Sequence, residues 1–254
     1  MSGKVYFVSG GNRGIGFQFV KILSSNQENT VIASARDPVK ATELQALADT
    51  QKNVKIVKLD VSDKASVDAL DVQLKEVAKD GIDVLIANAG ISQSVLPAID
   101  TAEDIYLRHY RTNVLGPIFL TKALYPYLKL KETRHLTYVS SLAGSIGGFI
   151  PFTSSAYGQS KAALNYSIKE ISFELGAEGF TAVAMQPGLV DTDMSRAGLK
   201  ALKEVNPDVV EILKDYPNIP AEESAKSQLE NIIFKLNKDM NGKFFDYHGV
   251  EQVF

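Results

Sequence analysis

Lys4-Val5-Tyr6-Phe7-Val8-Ser9-Gly10-Gly11-Asn12-Arg13-Gly14-Ile15-Gly16 is the stretch that governs the reading of this chain. Val5 to Val8 is an apolar, β-branched and aromatic run of strand length, and a glycine-rich turn carries it straight into a helical pattern. Glycines in such a turn let the backbone bend sharply and approach a ligand, and the unpaired N–H groups opening the next helix attract an anion. Strand, glycine turn and helix in that order open a dinucleotide-binding unit, with pyrophosphate on the helix N-terminus. The spacing here is Gly-x-x-x-Gly-x-Gly, not Gly-x-Gly-x-x-Gly, so the turn alone leaves a plain tight connection open as an alternative.

Outward from that stretch the same alternation continues. Strands are expected at Lys4 to Ser9, Thr30 to Ala35, Asn53 to Leu59, Asp83 to Asn88, His135 to Ser141, Thr181 to Gln186 and Lys243 to Tyr247. Helical patterns lie between them; Val67, Leu70, Leu74 and Val77 share one face. Thr101-x-x-Asp104 reads as a capping box opening the long segment toward Lys129, and Pro220 starts another helix. Strands alternating with helices build a parallel sheet, so the expected fold class is α/β, a doubly wound Rossmann sheet of about seven strands with helices on both faces. At 254 residues either one or two domains would fit, but no linker or repeat divides the chain, and residues 1–254 read as a single dinucleotide-binding and catalytic domain. Asp193 to Pro220 breaks the rhythm with a mixed helical pattern and no strand. It follows the sixth strand, where ligands bind in open sheets, and so 193–220 is expected to be a substrate lid.

Composition narrows the classes. With 45% hydrophobic and 22% charged residues the chain is an ordinary globular protein, and a net charge of -3 gives no general attraction to nucleic acid or anionic lipid. No nucleic-acid partner and no membrane are expected. The absence of cysteine excludes disulfides and thiolate zinc sites, and His109, His135 and His248 have no ligand spacing, so no metal is expected. The first residues lack the apolar stretch of a secretory signal, and no segment approaches the roughly 18 apolar residues of a membrane span, so a cytoplasmic location is expected.

A site for NAD usually has an acidic residue at the end of the second strand to hold the ribose hydroxyls. This chain has Ala33-Ser34-Ala35-Arg36-Asp37 there, with Arg13 in the glycine loop. Two guanidinium groups suit a 2′-phosphate, which favours NADP(H). Arg36 as a solvated surface charge, with Asp37 facing the ribose, is the competing reading.

Tyr157-Gly158-Gln159-Ser160-Lys161 puts a phenol and an ammonium one helical turn apart. A fixed positive charge beside a phenol favours phenolate and brings the group toward acid–base work. With ten tyrosines, about one Tyr-x-x-x-Lys arises by chance, and the chain has three. Tyr125/Lys129 and Tyr127/Lys131 overlap in a lysine-rich exit with a proline, where a surface role is expected. Tyr157 follows a strand ending Ser140-Ser141 and a Gly-rich loop, which is the better context.

The glycine loop, Asn88-Ala89-Gly90, Asn113, Ser141, Tyr157-x-x-x-Lys161 and Pro187-Gly188, in that order, resemble the short-chain dehydrogenases/reductases over nearly the whole chain. Within that family, the stretches Tyr157 to Asn165 and Pro187 to Met194 look like fungal and C-factor-type carbonyl reductases, including benzil and norsolorinic acid ketoreductases. The resemblance implies Tyr157 as general acid and Lys161 as the group that lowers its pKa and binds the nicotinamide ribose. It further implies that Ser141 holds the substrate carbonyl and Asn113 anchors a proton-relaying water. For the cofactor it implies Gly10, Asn12, Arg13, Gly14, Ile15 and Gly16 at the pyrophosphate. Arg36 would meet the 2′-phosphate, Asp60 and Val61 the adenine, and Asn88, Ala89 and Gly90 the floor. Val190 and Thr192 would meet the carboxamide, and Pro187 and Gly188 would also contact the cofactor. Ser141 stands 16 positions before Tyr157, more than is usual in the family, so Ser140, Ser145, Ser154 and Ser155 compete for its role.

The expected activity is NADPH-dependent reduction of an apolar ketone, diketone or aldehyde by a homodimer or homotetramer. Leu142, Ile146, Phe149, Ile150 and Phe152 face Met194, Leu199 and Leu202 across the expected pocket, or form core or a subunit contact instead. A noncatalytic NADPH-binding sensor or scaffold needs neither Tyr157 nor Lys161. A Rossmann-like methyltransferase would want an acidic residue in place of Arg36.

Overall fold

A computed structural model describes residues 3–150, 154–208, 213 and 217–254. Strand β1 (Val5–Val8) leads into α1 (Gly14–Ser24), followed by β2 (Thr30–Ala35), α2 (Thr42–Thr50), β3 (Val54–Lys58), α3 (Lys64–Asp68), α4 (Leu70–Val77) and β4 (Val84–Ala87). Next come α5 (Glu103–Tyr110), one π-helical turn at Arg111–Leu115, α6 (Gly116–Leu128), β5 (His135–Val139), α7 (Ser155–Gly176) and β6 (Thr181–Gln186). The chain continues with β7 (Leu189–Asp191), α8 (Asp193–Val205), β8 (Asn218–Pro220), α9 (Ala221–Asn231), β9 (Phe244–Asp246) and β10 (Glu251–Gln252).

The main sheet runs β10-β9-β6-β5-β4-β1-β2-β3. Seven of its strands are parallel, and β10 pairs antiparallel with β9 at one edge. Alternation along the strands divides the core between the two faces. Phe7 joins Leu85, Leu120, Leu136, Leu164 and Phe244 on one face. Tyr6 and Val8 join Phe19, Val31, Ile86, Met185 and Leu229 on the other. β4 is buried throughout, as a central strand covered by helices on both faces must be. The chain order reverses between β1 and β4, so the ends of these two strands open the crevice where an α/β sheet binds ligands.

The α/β doubly wound expectation holds. Three local expectations change. The main sheet has eight strands, because two-residue β10 is too short to show a period. The stretch 193–220 contains a strand: Asn218–Pro220 pairs with Leu189–Asp191 in a separate two-stranded ribbon. Thr101 caps nothing. Its hydroxyl donates to Pro97 O at 2.8 Å and contacts Ser155 Oγ at 2.7 Å, and α5 starts one residue later, with Ala102 at its N-cap. The helical stripe does face the core, Val67, Leu70 and Leu74 buried and Val77 packed partly buried against them, although Ala69 divides it into α3 and α4. Among the described residues no helix is long and apolar enough to cross a membrane, and no group of His, Asp and Glu could hold a metal ion.

Candidate active site

The crevice between β1 and β4 widens into a cleft of about 390 Å³, within the size range of small-molecule sites. Its first wall is the glycine loop, held by three anchors. Gly10 N–H donates to Ser34 Oγ at 3.2 Å and Gly11 N–H to Ser34 O at 2.9 Å. Asn88 Nδ2 donates to Ser9 O at 3.0 Å and Gly10 O at 3.3 Å, while Ser9 Oγ accepts the N–H groups of Asn88 and Ala89, each at 3.0 Å. Asn88 therefore fixes the loop as well as lining the cleft. Gly16 lies beneath the loop, where a Cβ would sit 2.2 Å from Gly10 O and 2.4 Å from Asn88 Nδ2. Gly16→Ala should destabilise the fold by about 1–3 kcal/mol through overpacking, read as a lower melting temperature; an unchanged melting temperature would show that the loop yields freely.

The α1 N-terminus has no side-chain cap and no acidic residue in its first turn, so its first N–H groups are left for an anion. Gly14, at φ +56, faces the Thr192 methyl, which would stand 3.5 Å from a Cβ there. Thr192 in turn caps α8, accepting the Ser195 N–H at 3.2 Å in a reciprocal capping box. The starts of α1 and α8 thus bracket the cleft. Arg13 and Arg36 are exposed, line it, and form no ion pair among the described residues. Asp37 turns to Lys40 at 3.3 Å, and Lys40 is a third cation on this wall that the sequence reading missed. Asp60 and Val61 line the same end, with Asp60 Oδ1 holding the Ser62 N–H and hydroxyl at 2.9 and 2.6 Å.

Tyr157 and Lys161 on α7 line the other end, beside Asn88, Ala89, Gly90 and Pro187. Lys161 is only 4% exposed; its Nζ donates to Val139 O at 2.7 Å and lies 5.8 Å from the centre of the Tyr157 ring. Burial brings the Lys161 ammonium down to about 8. Burial also raises the Tyr157 phenol above its ordinary value, with the Ser141 hydroxyl opposing that rise. The competing serines are occupied: Ser140 donates to Asn165 Oδ1 at 2.5 Å, Ser145 to Val253 O at 2.7 Å and Ser155 to Leu96 O at 3.1 Å. Ser154, at the α7 N-cap, leans toward Gly158. Ser141 accepts the Ala143 N–H at 3.2 Å, an arrangement that leaves its own proton for another acceptor.

Asn113 sits at the π turn, fully buried below the cleft. The side chain expected to anchor a water gives both N–H donors to protein, Ile91 O at 2.9 Å and Ser160 Oγ at 2.9 Å, and its oxygen accepts the Ile91 N–H at 2.9 Å. Ser160 passes the contact on, donating to Tyr157 O at 2.7 Å. Sequence spacing does not show this strut, because its members are 22 and 47 residues apart.

Some expected residues lie elsewhere. Val190 is 5% exposed within the β7–β8 ribbon, and Gly188, at φ +85, packs on the Tyr247 ring; neither lines the cleft. Met194 lines it, but Leu202 is buried, and Ile146 and Phe149 are 78% and 70% exposed away from it. Phe152 lies outside the described residues, as do 209–212 and 214–216 of the expected lid. The other two Tyr–Lys pairs are remote: Tyr125 and Lys129 both bind Glu178, and Tyr127 donates to Asp71.

Comparison with known proteins agrees with this geometry. The short chain dehydrogenase family profile matches residues 4–202. An uncharacterized oxidoreductase of Saccharomyces cerevisiae is 45% identical over 253 residues, covering 98% of this chain and 97% of its own. Carbonyl reductase Sniffer of D. melanogaster superposes with a TM-score of 0.86 at 28% identity, with full coverage of both chains. An NADPH-bound carbonyl reductase from chicken fatty liver gives 0.86 at 29% identity, again with full coverage. This chain is an oxidoreductase of the short-chain dehydrogenase family.

Proposed function

We propose that the protein is an NADPH-dependent carbonyl reductase that reduces an apolar ketone, diketone or aldehyde, with Tyr157 as proton donor. One observation carries this reading: a single cleft joins an uncapped helix N-terminus and two exposed guanidinium groups at one end to the Tyr157–Lys161 pair at the other. The first set fits a phosphorylated dinucleotide: the α1 N–H groups suit its pyrophosphate, and Arg13, Arg36 and Lys40 suit a 2′-phosphate. When bound there, NADPH would supply the hydride that reaches the carbonyl carbon. Tyr157 gives its proton to the carbonyl oxygen, so that C=O becomes CH–OH. Ser141 orients that oxygen, and the Lys161 ammonium stabilises the phenolate left behind.

The cations lining the cleft, Lys161 apart, are Arg13, Arg36 and Lys40, all on the glycine-loop side. Ile91, Val139 and Met194 lie on the lining with Tyr157, and the start of α8, Asp193 and Met194, contributes to it. An anionic substrate would find little to balance its charge at the reacting end. In a panel of carbonyls followed by NADPH absorbance, aromatic and aliphatic ketones or diketones should turn over best. A preference for charged sugars or oxo acids would reject the substrate class, and binding of NADPH without turnover of any carbonyl would reject the reductase.

A further inference from the structure

His109, in the last turn of α5, and Asn113, in the π turn, are one helical turn apart and hold the backbone of the same loop. That loop, residues 90–97, leaves the end of β4, and its Ile91 lines the cleft. Asn113 grips Ile91 at both its N–H and its carbonyl. His109 Nε2 accepts the Gln93 N–H at 3.1 Å, and Nδ1 lies 2.8 Å from Ile105 O. A backbone N–H only donates, so Nε2 is the bare nitrogen and Nδ1 carries the proton toward Ile105. The ring is fully buried with both nitrogens engaged.

We propose that His109 is a positioning residue whose neutral Nδ1–H tautomer latches the Ile91–Gln93 segment to α5 and so sets the cleft wall opposite Tyr157. The inference rests on the reductase reading only for its kinetic consequence; the latch itself is a matter of backbone protection. Burial pushes the His109 imidazole below its ordinary value, and the Arg108 charge adds to this against a hydrogen bond to Ile105 O. Arg108 is paired with Asp104 at 2.9 Å. The loop 90–97 has no titratable side chain, the π turn brings Arg111, and the first turns of α7 bring Tyr157 and Lys161. Among the described residues of these segments no carboxylate is present to hold an imidazolium, and on α5 itself Glu103 and Asp104 open the helix, with Asp104 paired to Arg108. When acid protonates Nε2, it turns a donor toward the Gln93 N–H and the latch opens.

The test pairs His109→Leu, which keeps bulk and removes the acceptor, with His109→Gln, whose amide can accept from Gln93 and donate to Ile105 without titrating. Amide hydrogen exchange at 91–93 should rise at least about tenfold in His109→Leu and return to near wild type in His109→Gln. Wild type should lose the same protection on acidification, and His109→Gln should not. With benzil and NADPH, His109→Leu should raise the KM for benzil about tenfold and leave the Kd for NADPH within about threefold. Unchanged exchange in His109→Leu, or equal loss in both variants, overturns the latch. Intact exchange effects with no turnover by any variant, wild type included, would instead overturn the reductase reading.

Discussion

Tyr157→Phe should lower carbonyl turnover by about 10²–10⁴-fold, the usual worth of a positioned general acid, while NADPH binds within about threefold of wild type. The phenylalanine keeps the ring that Lys161 approaches at 5.8 Å and removes only the hydroxyl. On the proposed reaction, the variant removes the proton source and leaves the cofactor site intact. The pH profile should carry the signature of the neighbouring ammonium. Burial sets Lys161 to about 8, so it is charged below that value and neutral above it. In the proposed reaction a charged Lys161 would stabilise the phenolate that forms as Tyr157 gives up its proton, so the reduction rate should fall as pH rises through that region. In Lys161→Arg the fall should vanish from this range, because a guanidinium stays protonated. Stopped-flow NADPH oxidation across pH 6 to 10, with cofactor binding measured by fluorescence, checks both statements. Full turnover in Tyr157→Phe would remove the phenol from the chemistry.

The parts of this molecule that were legible in sequence are those written in local periods. β1, the glycine turn and α1 follow from an apolar run, three spaced glycines and a helical stripe, and the doubly wound sheet follows from repetition of that unit. β8 and β10 escaped because two or three residues carry no period, and Pro220 reads as a helix start without showing that it also ends a strand. Thr101 differs for another reason. The capping pattern was present, but Pro97 and Ser155 offered its hydroxyl nearer partners, one of them 54 residues away. The site divides in the same manner. Tyr157 and Lys161 read as a pair in sequence because one helix turn places them together, whereas the bracing of Asn113 by Ser160 and the grip of His109 on Gln93 depend on how α5, α7 and the β4 loop pack. Weighing Ser141 against the other serines depends on non-local contacts: partners occupy Ser140, Ser145 and Ser155, Ser140 lines the cleft, and Ser141 is not among its lining residues but bonds the Tyr157 phenol.

Arg36→Asp should weaken NADPH binding by about 10²-fold or more, since a charge-assisted contact worth roughly 1.5–3 kcal/mol is replaced by repulsion, while NADH binding changes little or improves. Arg36 stands at the end of β2 with its guanidinium exposed, and among the described residues no ion pair competes with a 2′-phosphate for it. Asp37, the carboxylate that could face a ribose, is held by Lys40 at 3.3 Å instead. The two effects have the same sign: one cation is free for phosphate, and the neighbouring anion is neutralised. Because these groups are exposed, the NADPH preference should shrink with added salt, as the Debye length falls from about 10 Å at 0.1 M to about 3 Å at 1 M. Titration of both cofactors at low and high salt, for wild type and Arg36→Asp, measures this. Equal weakening of NADPH and NADH would place Arg36 away from the 2′ position and leave Arg13 and Lys40 as the groups to test next.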